Sequence, residues 1–133
     1  MKIWGTVGAL AVVAACAASE MPGPSEGAAI FAENCVSCHG VSATGNGPLA
    51  NGLSPAPSDL TQIAARNGGV FPRAQTLSVI DGYSKGTHKD RAMPEFGAQM
   101  TGEDTVPVEV DGILTPTPRS LAALLAYLES IQG

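Results

Sequence analysis

The pentapeptide Cys35-Val36-Ser37-Cys38-His39 constrains this chain more than any other stretch. Two thiols three positions apart, followed at once by an imidazole, read as the attachment site of a covalently bound haem. Each thiol can add across a vinyl group of the same porphyrin, and His39 is then placed to bind the iron. Other uses of these residues fit less well. A dithiol redox motif wants a strand-then-helix setting, and no apolar strand run precedes Cys35. A tetrahedral zinc site needs four ligands, but only His88 and the distant Cys16 remain as further nitrogen and sulfur donors, and adjacent Cys38 and His39 suit that geometry poorly. A Cys35–Cys38 disulfide would close a very small loop and stabilise little.

A chain of 133 residues suits one small domain. Its formal net charge is −5 even with Lys2 counted, which argues against nucleic acid as a partner. Beyond residue 15 the aromatics are Phe31, Phe71, Tyr83, Phe96 and Tyr127, too few to make a large core from side chains alone. A buried porphyrin would supply the missing apolar bulk.

Met1-Lys2 and the uncharged run after it read as an export signal, too short to span a bilayer core comfortably. The run ends in Val13-Ala14-Ala15-Cys16, which resembles the lipobox of bacterial lipoproteins. That resemblance implies a signal peptide over residues 1–15 and a lipid on Cys16, placing the protein on the periplasmic side as a membrane-anchored lipoprotein. Cleavage after Ala17 or Ala18, which would leave a soluble periplasmic protein, and an uncleaved anchor are the alternatives. Residues 16–24 then form a tether, with Pro22, Gly23 and Pro24 preventing a helix, and the folded domain runs over residues 25–133. Ser25 is expected to cap a helix that carries Phe31 up to Cys35.

The pattern Gly27-x-x-x-Phe31-x-x-x-Cys35-x-x-Cys38-His39-Gly40 resembles the amino-terminal signature of monohaem class I cytochromes c. The resemblance implies an all-α fold of three to five helices around one haem c. It also implies that Gly27 lets the first helix cross closely against the last one, where Leu124 and Tyr127 are similar to the family's partner pair. In the Gly- and Pro-rich loop over residues 41–57, Pro48 resembles the proline whose carbonyl meets the free nitrogen of the ligand histidine; a simple turn proline is the other reading. Residues 58–66 should form a short helix capped by Ser58, and residues 73–81 a second one stopped by Gly82, both walling the haem.

In Lys85-Gly-Thr-His88-Lys89-Asp-Arg91-Ala-Met93-Pro94, the Met-Pro pair resembles the family's distal ligand loop. Met93 is therefore the expected second iron ligand, with Met100 and His88 in reserve. A thioether favours ferrous iron relative to a second imidazole and so raises the potential. The cations Lys85, Lys89 and Arg91 beside it would steer a negatively charged partner. Residues 102–118 alternate Val with polar residues around Asp111-Gly112, which suggests a small hairpin or extended flap. The stripe Leu121, Leu124, Leu125, Leu128 and Ile131 marks a last helix that should face the first.

Two axial ligands leave iron no vacancy for substrate, and no nucleophilic triad accompanies the haem, so the expected role is electron transfer with a membrane redox complex and not catalysis. Two alternatives stay open. The chain would be the haem subunit of a larger periplasmic oxidoreductase if it docks permanently, or a haem-based gas sensor if Met93 does not bind iron.

Overall fold

The computed structural model describes residues 20–83 and 92–133. The leader, Cys16, and the loop carrying Lys85, His88, Lys89 and Arg91 lie outside the described residues. Five α-helices are described: α1 Pro24–Asn34, α2 Val36–His39, α3 Ile63–Arg66, α4 Arg73–Asp81 and α5 Arg119–Ser130.

Helix α1 begins one residue before Ser25. Pro24 takes the first helical position, where its fixed φ is already helical and its missing N–H costs nothing, and Gly23 flanks it without a side-chain cap. The chain before it is already docked: Pro22 is buried, and the Glu20 carbonyl accepts from Arg119 Nη1 at 2.8 Å. What reads in sequence as tether up to residue 24 is therefore part of the domain from residue 20 onward. Arg119 also forms a two-pronged pair with Glu26, 2.9 Å on each arm, linking the starts of α1 and α5. Glu103 caps α5 from outside, accepting from the Ser120 amide at 3.0 Å and its hydroxyl at 2.9 Å.

The two terminal helices cross at Gly27. A Cβ there would overlap the Ala123 carbonyl and sit 2.7 Å from Tyr127 Cβ, so only glycine permits this approach. One turn on, the Phe31 and Tyr127 rings meet at a centroid distance of 5.1 Å, tilted by 51°. Leu121, Leu124 and Leu128 join Phe31, Ile80, Phe96 and Met100 in the main core.

The stripe on α5 nevertheless serves two neighbours. Leu125, with Ala122, packs against Val106 and Val108 of an antiparallel hairpin, β1 Thr105–Val110 and β2 Ile113–Pro118. Its two-residue turn places Asp111 at φ +52° and Gly112 at φ +80°, the pairing whose twist matches flanking strands. The expected flap is thus a regular two-stranded sheet, and the architecture is helical with this addition and not all-α. Arg73 ties the far end of the hairpin to the helices: it donates to the Glu109 carbonyl at 2.8 Å and pairs with Glu129 at 2.7 Å.

Helix α4 occupies the residues its sequence marks, ending at Gly82 with φ +95°. The expected single helix over residues 58–66 is instead a 3-10 turn, Leu60–Gln62, followed by α3. Asp59 and not Ser58 caps it, its carboxylate accepting from the Thr61 amide at 2.9 Å.

Gly27→Ala should destabilise the folded protein by about 1–3 kcal/mol, because backbone on both helices must part to admit the methyl. Thermal unfolding of the haem-loaded protein checks this. A midpoint equal to that of the parent would mean that the crossing is not tight.

Candidate functional site

The junction of α1 and α2 presents the thiols and the imidazole. Cys35 ends α1, its amide donating to the Phe31 carbonyl at 2.8 Å, and the His39 amide donates back to the Cys35 carbonyl at 2.9 Å. The chain then turns at Gly40 and folds back under α2. The amides of Gly45, Gly47 and Leu49 donate to the carbonyls of His39, Cys38 and Ser37 at 2.9, 3.0 and 2.8 Å. Carbonyls that a short helix leaves orphaned are satisfied in this way. Gly47 has no room for a side chain, since a Cβ would lie 2.6 Å from the Val36 oxygen and the Cys38 carbonyl carbon.

A cavity of about 520 Å³ opens beside this junction. Phe31, Cys35 and His39 form one wall, Leu60 and Ile63 another, Val79 and Ile80 of α4 a third, and Leu124 and Leu128 of α5 the floor. Met93 lines the same cavity. Ser58, Arg66, Asn67 and Gln75 are the exposed polar residues that line it. Cys38 is half-buried on α2 and is a free thiol, as is Cys35. Met100 packs in the core, 7% exposed, and does not line the cavity. His88 is outside the described residues.

His39 Nδ1 faces the Ser58 carbonyl at 3.3 Å. A carbonyl can only accept, so this pairing selects the tautomer with its proton on Nδ1 and leaves a lone pair on Nε2. Burial lowers the imidazole's pKa, partly offset by that carbonyl, and keeps the ring neutral and able to bind metal. Burial, with the neighbouring Cys38 thiol second, pushes the Cys35 thiol up to about 11.

The role assigned to Pro48 in sequence falls to another residue here. Pro48 is exposed, and the carbonyl facing His39 is that of Ser58. The Ser58–Asp59 backbone is itself held: the Arg66 guanidinium donates to the Asp59 carbonyl at 2.7 Å, and the Asp59 carboxylate accepts from the Thr61 hydroxyl at 2.6 Å. That hydroxyl is the main reason the Asp59 carboxyl lies below its ordinary range. No side-chain signature marks a backbone carbonyl as a partner, so only the Asp-x-Thr turn after it was available as a signal.

Residues 24–132 match the family model described as cytochrome c. The chain belongs to the cytochrome c family. No match was found among curated proteins or among solved structures. As a cytochrome c it carries covalently attached c-type haem, the iron-containing group with which this family transfers electrons. The cavity fits that group: apolar walls for a flat macrocycle, a thiol and a neutral imidazole at one side, a thioether among the lining residues, and a size within the range of about 300–1,000 Å³ usual for ligand sites.

Pro48→Ala should leave the visible spectrum and midpoint potential of the cytochrome unchanged, whereas Asp59→Ala should lower its thermal midpoint by loosening the turn behind Ser58. Redox titration and thermal melts of both variants check this. A potential shifted by Pro48→Ala and untouched by Asp59→Ala would return the histidine-orienting role to the Pro48 carbonyl.

Proposed function

We propose that this cytochrome c is a membrane-anchored carrier of single electrons, with one haem held through thioethers to Cys35 and Cys38 and its iron bound by His39 and Met93. The observation that carries the reading is that Cys35, His39 and Met93 line one cavity. Haem iron supplies the chemistry, cycling between ferric and ferrous states. The chain's own residues do the rest. Ser58 orients the imidazole, Phe31, Leu124 and Leu128 exclude water, and Met93 offers a soft neutral donor that favours the ferrous state.

The anchor in this reading is lipid on Cys16, on the periplasmic side of a membrane. From Cys16 to the docked Glu20 an extended chain reaches at most about 14 Å. The domain is therefore held against the bilayer, which raises its local concentration beside a membrane redox complex as partner. The cations Lys85, Lys89 and Arg91 precede Met93 by a few residues and suit an acidic docking face on that complex.

Acid extraction should leave the haem on the polypeptide, and alanine at Cys35 or Cys38 should sharply reduce the yield of pigmented protein. Met93→Ala should lower the midpoint potential by on the order of 0.1 V, within the span of about 0.8 V that axial ligands cover. A potential and spin state unaffected by that change would show that another group binds the iron.

Cys16→Ser should move the cytochrome from the membrane fraction to the soluble one or leave its precursor unprocessed. Fractionation with immunodetection reads the outcome. A parent protein found wholly soluble would remove the lipid anchor from the reading.

A further inference from the structure

The hairpin turns an unusual face to solvent. Val106 and Val108 point inward onto Ala122 and Leu125, so the cross-strand pairs that point outward are Thr105↔Pro118, Pro107↔Pro116 and Glu109↔Leu114. A sheet with one face on a core ordinarily carries polar residues on the other. Here Pro107, Leu114 and Pro116 all stand exposed there. At the tip, Ile113, paired with Val110 on the inward side, is exposed as well, so that Ile113 and Leu114 are 68% and 67% exposed on opposite sides of the strand end.

The charge around this strip has one sign. From residue 102 to residue 118 the chain carries Glu103, Asp104, Glu109 and Asp111 and no Lys, Arg or His. Glu103 is occupied in capping α5. Among the described residues Asp104, Glu109 and Asp111 make no ion pair. The nearby Arg73 spends its charge on Glu129 and meets only the backbone oxygen of Glu109. The strip is also held in place before any partner arrives. The valines are buried against α5, Arg73 fastens one end of β1, and the Arg119 amide, donating to the Asp104 carbonyl at 3.0 Å, fastens the other.

We infer that the outward face of this hairpin, Leu114 with Pro107 and Pro116, extended at the tip by the exposed Ile113 and bordered by Glu109 and Asp111, docks a partner protein that presents an apolar patch edged with Lys or Arg. Complementary charge selects that partner over anionic lipid, which the uncompensated carboxylates repel. Contact is face-on through side chains. Pro107 and Pro116 have no N–H to offer, so neither strand is a good template for adding another strand at its edge. A prefixed face loses little freedom on binding, so a small apolar strip suffices for a specific encounter. None of the hairpin residues lines the haem cavity, and docking here is therefore independent of the iron ligands proposed above.

The test is site-specific photocrosslinking in cells that make the protein natively, with the full chain and its haem. A benzophenone amino acid replaces Leu114, and in a control strain it replaces Val70, an exposed residue 67% accessible and outside the hairpin. The expected result is a crosslink at position 114 and not at 70, to one protein identified by mass spectrometry, at a peptide containing both apolar and basic residues. Binding of that purified protein should weaken roughly three- to tenfold in the Glu109→Gln/Asp111→Asn variant at low ionic strength, a difference that shrinks in high salt. Asn tolerates the positive φ of residue 111, and an unchanged haem spectrum and thermal midpoint verify that the variant is folded. Ile113→Ser/Leu114→Ser should weaken binding further while leaving the same two controls intact. The inference is overturned by a crosslink no stronger at 114 than at 70, by crosslinks only to lipid or to a second copy of this chain, or by binding indifferent to both double variants. Met93→Ala should leave the crosslink in place, so a failure of the iron-ligand assignment and a failure of this one are separately visible.

Discussion

The crossing of α1 and α5 at Gly27 sets the position of everything else. Gly27, Phe31 and Cys35 stand four residues apart, on one face of the chain as it runs through α1. Pressing Gly27 against the Ala123 carbonyl therefore fixes where Phe31 meets Tyr127, and one turn later where the first thiol emerges. The ion pair between Glu26 and Arg119 lies over the same crossing, but both its side chains are more than a third exposed, and such pairs are worth at most about 1 kcal/mol. Burying Phe31, Leu124 and Leu128 contributes about 1.5–3 kcal/mol each. Apolar packing around a glycine contact holds the helices together, and the charges select which ends meet.

The cavity depends on that crossing from one side and on a string of short elements from the other. Leu60 and Ile63 reach it from a 3-10 turn and a four-residue helix, neither of which would be stable alone. Chain ends hold them instead: Gln132 accepts from the Ala64 amide and donates to the Leu60 carbonyl, each at 2.8 Å, and the Gly133 amide donates to the Thr61 carbonyl at 3.0 Å. The same burial that makes the cavity apolar keeps His39 neutral and Cys35 protonated. In the proposed reading, that environment leaves His39 a nitrogen lone pair for iron and holds Cys35 at the cavity wall.

Features governed by local backbone chemistry were legible in the sequence. Gly82 stops α4 because a left-handed residue is needed there, Asp111-Gly112 makes a two-residue turn because both positions need positive φ, and the Cys-x-x-Cys-His run carries its own spacing. Misreadings came where two local solutions competed. Ser25 and Pro24 are both good helix starters, and the proline ring settled the matter one residue earlier. Ser58 and Asp59 are both good caps, and the Thr61 hydroxyl that Asp59 also reaches decided for the aspartate. Long-range choices left no trace at all. Leu125 has the same helical periodicity as Leu124, and only the arrival of Val106 and Val108 assigns it to the hairpin. The Ser58 carbonyl beside His39 belongs to a residue type that says nothing about its backbone oxygen.

Helix α5 joins two differently tied ends of the molecule. At its start Arg119 gathers Glu20 and Glu26, so a chain arriving from Cys16 enters there, beside the base pair Thr105↔Pro118 of the hairpin. Near its finish Glu129 holds Arg73, and through Arg73 the Glu109 end of the same hairpin. Twelve residues of helix separate the two ends by about 18 Å. In the proposed reading, then, lipid restrains one end and the apolar, acidic tip projects from the other. Were Cys16 lipidated as proposed, a tether of at most about 14 Å would limit how far the domain could turn over and would keep the tip accessible from the aqueous side. The hairpin lies behind α5, on the face of Ala122 and Leu125, and the cavity lies on the face of Leu124 and Leu128. If a partner docks at the tip as we propose, it leaves that cavity free, and a single small domain could keep one protein bound while it exchanges electrons with another.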